Sequence, residues 1–152
     1  MDRLDRKILR LLQEDATLAV ADVAKKVGLS TTPCWRRIQK LEEEGVIKRR
    51  VAILDHEKVN VRVTVFVSIR TNSHSHEWLR RFSEVIQEFP EVVEFYRMSG
   101  DVDYLLRVVV PDIAAYDRVY KRLIANTQLH DVSSSFAMEE LKLTTALPLG
   151  YV

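Results

Sequence analysis

The chain has 152 residues, 47% of them apolar and 30% charged, with 23 Lys+Arg against 22 Asp+Glu for a net charge of +1. This balance excludes a disordered or low-complexity chain, and no apolar run approaches the roughly 20 residues that cross a bilayer. A single cysteine, Cys34, excludes an internal disulfide framework, and the charged opening MDRLDRKILRLL does not read as a secretion signal, so the expected compartment is the cytoplasm.

Through Asp55 the chain carries 12 Lys+Arg and 9 Asp+Glu, and from His56 onward 11 and 13. A small basic excess at the N-terminus suits a phosphate-binding module. Leu4, Ile8, Leu11 and Leu12 recur at helical spacing, with Asp2 and Asp5 where a first helical turn favours negative charge. Val20, Val23, Ala24 and Val27 mark a second helix stopped by Gly28. Ser30 then stands as an N-cap before a third helix from about Thr31 to Glu44, closed by Gly45. Two helices joined by a tight Gly-containing turn are a helix-turn-helix.

At about 100° per residue, Cys34, Ile38 and Leu41 share one side of the third helix. Thr32, Arg36, Gln39 and Lys40 point the other way, with Trp35 and Arg37 on the flanks. Arg, Gln, Lys and Thr are side chains that hydrogen-bond base edges and phosphates in a major groove. A solvated helix face has the same look in isolation; the preceding helix and turn favour a recognition helix. The candidate DNA-contacting set is Ser30, Thr31, Thr32, Trp35, Arg36, Arg37, Gln39 and Lys40, with Lys48, Arg49 and Arg50 just beyond. Those last three open an alternating stretch, Val51 to Leu54, expected as a short wing or linker strand. They serve either as backbone-phosphate contacts or as a solubilising run.

Past this point the periodicity changes. Val61, Val63, Val65, Val67 and Ile69 alternate with polar or outward residues, as in a half-buried strand. A helical stripe, Trp78, Leu79, Phe82, Val85, Ile86 and Phe89, ends at Pro90. Val92 to Met98 and Tyr104 to Val110 read as strands about the turn Gly100-Asp101-Val102-Asp103. Ile113, Tyr116, Val119, Tyr120 and Leu123 form a second helical stripe, and Val132 to Leu143 a last strand. The order βαββαβ predicts a ferredoxin-like antiparallel sheet with two helices on one face. The fold class is therefore α+β, divided as a helix-turn-helix head over 1–50, a linker strand over 51–60 and the βαββαβ domain over 61–152. Phe66, Phe95 and Phe136 are too apolar for the uncovered face to meet water in every copy, which predicts a subunit contact there.

The loop Ser99 to Tyr104 is either a routine hairpin turn or a site for a free amino acid. Its exposed N–H groups can hold a carboxylate, and Asp101 or Asp103 can accept from an ammonium group. Cys34, among the core positions of its helix, reads as a small buried hydrophobe. His74 and His76 stand two apart without other ligands, and no nucleophile–base spacing, phosphate loop or zinc signature occurs, so no metal, cofactor or catalytic residue is expected.

Ser30-Thr31-Thr32-Pro33-Cys34-Trp35-Arg36-Arg37, with Leu41-Glu42 and Gly45-Val46-Ile47, resembles the recognition-helix signature of the leucine-responsive/asparagine (Lrp/AsnC) regulators. Asp2 to Leu12 resembles the family's opening helix, and Gly100-Asp101-Val102-Asp103-Tyr104 its Gly-x-x-Asp-Tyr turn. Ser133 to Glu139 and Phe95 to Met98 are most similar to a branch that senses cysteine and controls cysteine desulfidase genes. The resemblance implies a winged helix-turn-helix regulator of transcription that dimerises through the βαββαβ domain and assembles to tetramers or octamer rings around double-stranded DNA. It also implies a small amino-acid effector held between dimers by Met98, Gly100, Asp101, Asp103 and Tyr104, with Ser133, Ser134 and Ser135 from an opposing subunit. The reading from another class is an amino-acid-binding module that regulates or performs amino-acid metabolism and uses its helical head for protein contacts.

Overall fold

The computed structural model describes residues 1–152 other than His74, Thr127 and Gln128. The chain forms two compact units, one of Met1–Ile53 with Leu141–Val152 and one of Leu54–Glu140.

The first unit is built on α1 (Arg3–Glu14), α2 (Val20–Val27) and α3 (Thr31–Glu43). Each helix buries one stripe: Ile8 and Leu9, then Val23, Ala24 and Val27, then Cys34, Ile38 and Leu41. These short helices bury too little alone and hold their shape by burying one another. Gly28 ends α2 at φ +78°, a left-handed conformation open to glycine at no steric cost, and so makes the tight turn into α3. The expected wing strand is not formed. Residues 48–62 hold no strand, and Val51, Ile53 and Leu54 are exposed. Alternation marks a strand only when a neighbour supplies hydrogen bonds, and no described residue forms a ladder with this segment.

The C-terminus supplies the second correction. The last strand ends at Phe136 rather than Leu143, and residues 141–152 pack with the helical head instead of the βαββαβ unit. The side chain of Gln13 grips the backbone of Leu147 from both sides, accepting from its N–H at 2.6 Å and donating to its carbonyl at 3.3 Å. Leu149 packs against the head's core, and Arg6 donates to the carbonyl of Val152 at 2.8 Å. Alternation in 137–143 is too weak to show that the chain leaves the sheet.

The second unit contains β1 (Val63–Arg70), α4 (His76–Gln87), β2 (Val92–Arg97), β3 (Tyr104–Val110), α5 (Ile113–Asn126) and β4 (Asp131–Phe136), in an antiparallel sheet of order β2-β3-β1-β4. This is the ferredoxin-like order. Ser75 caps α4 and Asp112 caps α5 through side-chain oxygens. Val65, Val67, Ile69, Tyr104, Leu106, Val108 and Val110 are buried beneath Phe82, Ile86, Tyr116, Val119 and Leu123. Ile113 is exposed and Ala115 takes its expected place in that stripe.

The uncovered face is less aromatic than expected. Phe95 lies on the helix side, 5.5 Å from Phe82 and 5.7 Å from Tyr104 between ring centroids, and Phe136 meets Tyr116 edge-on. Phe95 changes face because a bulge between Val92 and Glu94 shifts the alternation of β2. Of the three phenylalanines only Phe66 remains on the open face, beside Leu105, Val109 and the Arg107–Glu94 ion pair.

Asp2 starts α1 as its N-cap, accepting from the N–H groups of Leu4 and Asp5, while the Asp5 carboxylate accepts from the Asp2 N–H. Arg37 of α3 then bridges both carboxylates at 2.7 Å each. The Asp5 N–H, followed by the Arg37 guanidinium, holds the Asp2 carboxyl at about 2 against an ordinary 3.8. A carboxyl lowered by folding stabilises the fold above its ordinary value, and that stabilisation is lost as pH falls through about 2. Asp2→Asn keeps a capping oxygen and removes the charge. It should lower the melting temperature at neutral pH by a few degrees, with the gap from the parent closing as the pH is lowered toward 2. Equal melting curves at neutral pH would show that the clamp contributes nothing.

Candidate DNA interface and effector loop

The buried stripe of α3 decides what its other side presents. Cys34, Ile38 and Leu41 are all at or below 3% exposure, and burial pushes the Cys34 thiol up, so it stays protonated and behaves as a small hydrophobe. Opposite them Thr32, Arg36 and Lys40 are exposed, Thr31 is exposed in the first turn, and Trp35 is half exposed on the flank. Among the described residues Arg36 makes no ion pair, so its guanidinium is uncommitted. Ser30 occupies the N-cap position with extended backbone, yet its hydroxyl makes no capping bond and remains exposed. Lys48 and Arg49 are likewise exposed and make no ion pair among the described residues.

Three members of the expected set are otherwise engaged. Arg37 is the clamp to Asp2 and Asp5 and works inside the head rather than toward DNA. Gln39 is half-buried and donates to Glu42 at 3.0 Å, and Arg50 pairs with the same carboxylate at 2.9 Å. Lys40 is 3.6 Å from Glu44 but stays solvent-exposed, a loose pairing that a phosphate can displace. The i, i+3 spacing of Gln39 and Glu42 is the signal that shows the first of these in the sequence. The Arg37 bridge joins residues 32 and 35 apart and has no local signature.

In the second unit the β2–β3 loop is closed by the Met98 N–H donating to the Asp103 carbonyl at 2.8 Å. Gly100 takes φ +110° at its crest. The Asp103 N–H donates to the Ile69 carbonyl, and its carboxylate accepts from the Thr71 N–H at 2.8 Å. Asp103 therefore braces the loop against the end of β1. Tyr104 is also a structural residue: it is 3% exposed among Trp78, Phe82 and Phe95, and burial raises its phenol. Of the effector residues expected here, Met98, Gly100 and Asp101 are exposed.

The three serines divide by strand alternation. Ser134 turns toward the helices and hydrogen-bonds the Tyr116 hydroxyl, leaving Ser133 and Ser135 on the open face opposite Ser68 and Phe66. In the order β2-β3-β1-β4 these serines lie on the edge strand beyond β1, so one chain does not bring them together with the Gly100 loop. His74, half of the His74/His76 pair, lies outside the described residues.

Residues 1–48 match the family described as winged helix-turn-helix DNA-binding, and residues 64–147 that described as the Lrp/AsnC ligand binding domain. The chain is 51% identical over 150 residues to the Escherichia coli DNA-binding transcriptional activator DecR, covering 98% of this chain and 99% of that protein. An AsnC family transcriptional regulator from Agrobacterium tumefaciens superposes with TM-score 0.97 at 80% identity, with 99% of both chains covered. A Neisseria meningitidis transcriptional regulator, solved as its L-Met complex, superposes with TM-score 0.94 at 32% identity over 99% of this chain and 98% of that one. No helix among the described residues is long and apolar enough to cross a membrane. A head with an outward Arg/Thr/Lys face, joined to a βαββαβ unit and matched along its length by such regulators, makes this chain a DNA-binding transcriptional regulator of the Lrp/AsnC family.

Proposed function

We propose that this regulator reads its operator with Thr32 and Arg36, and that Ser30, Thr31, Trp35, Lys40, Lys48 and Arg49 hold it on the flanking backbone. The carrying observation is that Arg36 and Thr32 stand directly opposite the buried Cys34–Ile38–Leu41 stripe, with no carboxylate paired to Arg36 among the described residues. It acts in the cytoplasm, where the chromosome is accessible, and it performs no catalysis.

The effector is a small amino acid, with cysteine the first to be tested and methionine next, since the Neisseria relative was solved with L-Met. Backbone around Gly100 faces the ligand's carboxylate and Asp101 its ammonium group, while Ser133 and Ser135 come from another copy. The separation of loop and serines within one chain supports a site shared between subunits. Assembly to a dimer, and onward to tetramers or octamers, is supported by apolar side chains left open in one chain. Ile53 is 67%, Met138 95% and Leu141 86% exposed, and Phe66 interrupts the open sheet face. An effector then shifts assembly, or the spacing of paired heads, by its differential affinity for the two states.

On DNA from upstream of its own coding sequence, Arg36→Ala should weaken binding by about 1–3 kcal/mol and random DNA by clearly less. An equal loss on both would make Arg36 a phosphate contact. Sedimentation at micromolar concentration should show a dimer or larger species whose distribution responds to the amino acid, and Asp101→Ala should abolish that response while preserving unliganded DNA binding. A stable monomer, or a variant that responds as the parent does, would overturn the shared site.

A further inference from the structure

A second basic surface lies on the head, away from α3. Arg3, Arg6, Lys7 and Arg10 follow one another at i, i+3, i+4 and i+7 along α1, which places all four on one face within roughly 100° of arc. Ile8 and Leu9 are buried on the other side, where α1 meets α2 and α3. The two acidic residues of this helix's first turns do not neutralise the stripe. Asp2 and Asp5 are turned to the helix cap and to Arg37. None of the four cations makes an ion pair among the described residues, and Glu14, a turn past Arg10, is exposed and unpaired with it. The contrast with Arg50, Arg80, Arg107 and Lys121, each on a carboxylate, is plain. Like charges on neighbouring turns destabilise a helix. Among the described residues no side-chain carboxylate is paired with any of the four.

The returning C-terminal segment gives this face a shape. Leu149 and Gly150 wall the stripe, and with the four cations they line a recess of about 230 Å³. Arg6 is fixed there by its bond to the Val152 carbonyl, and Gln13 anchors the segment at Leu147. From Arg3 to Arg10 the row spans about 10 Å of helix, over which a duplex presents about six phosphates. The residues that line the face include no amide side chain to read bases.

We propose that the Arg3–Arg6–Lys7–Arg10 face is a second, sequence-independent DNA-backbone site, taking phosphates of a duplex segment other than the one whose groove α3 enters. It rests on the head's DNA-binding role but not on which residues of α3 read bases. A duplex in front of α3 cannot also lie behind α1 unless it bends around the head or a second stretch is brought in.

The test uses the full-length chain with Arg3→Gln, Lys7→Gln and Arg10→Gln combined, leaving Arg6 to hold the C-terminal segment. Binding is followed against salt on a short operator duplex and on the same operator within a long duplex. On the long duplex the slope of log affinity against log salt should fall by up to about 0.9 per removed cation, whereas short-operator affinity and its preference over random DNA should stay at parent values. Parental slopes on the long duplex would overturn the proposal, and so would an equal loss on the short one. Single Lys7→Gln, expected to lose about a third of the slope change, carries the same decision should the triple variant fail to fold. Arg10→Lys should retain the parental slope; a loss matching Arg10→Gln would make the role one of packing and also overturn the proposal.

Discussion

Cys34, Ile38 and Leu41 are sealed against α1 and α2, and a helix anchored along one stripe cannot roll without opening its core. The opposite stripe of α3 is thereby committed to solvent. Truncating a buried side chain of this kind costs about 2–5 kcal/mol, more than enough to keep one orientation populated. Arg37 adds a directional tie, because a guanidinium shared by Asp2 and Asp5 holds α3 to the first turn of α1. The same tie has an electrostatic consequence: both first-turn carboxylates are bonded to Arg37 and neither is paired with Arg3 or Arg6. One interaction thus helps to orient the recognition helix and leaves the basic face of α1 without a paired side-chain carboxylate among the described residues.

The ligand-binding unit follows a different logic. Its loop is held by backbone bonds and by one half-buried acceptor, Asp103, so that the Gly100 crest is presented at the end of the sheet. Asp101 and Met98 stay open while Asp103 and Tyr104 face inward. The serines of the expected pocket lie on the edge strand β4, apart from the β2–β3 loop, and exposed apolar side chains remain around the linker and after β4. Both features support the proposed site shared between copies of the chain.

Much of this was legible in the sequence because it depends on local period. Helical stripes located all three head helices and both sheet helices, and the Gly28 turn and the Ser30 boundary rest on backbone conformation that local sequence encodes. What escaped was long-range or partner-dependent. The wing at Val51–Leu54 needs a neighbour to hydrogen-bond. The bulge in β2 inverted the face of Phe95, and the strand pleat split Ser133 and Ser135 from Ser134. The return of residues 141–152 to the head, and the commitment of Arg37 to Asp2 and Asp5, join residues far apart in sequence through side-chain chemistry that carries no periodic signal.

The most direct test of the central claim is to place a photoreactive side chain at Thr32 and, separately, at the exposed α2 position Ala21, and to irradiate each protein bound to DNA. Crosslinks from position 32 to base edges, with none from position 21, are the result this account requires. Crosslinks from position 21 with none from position 32 would show that another face of the head enters the duplex.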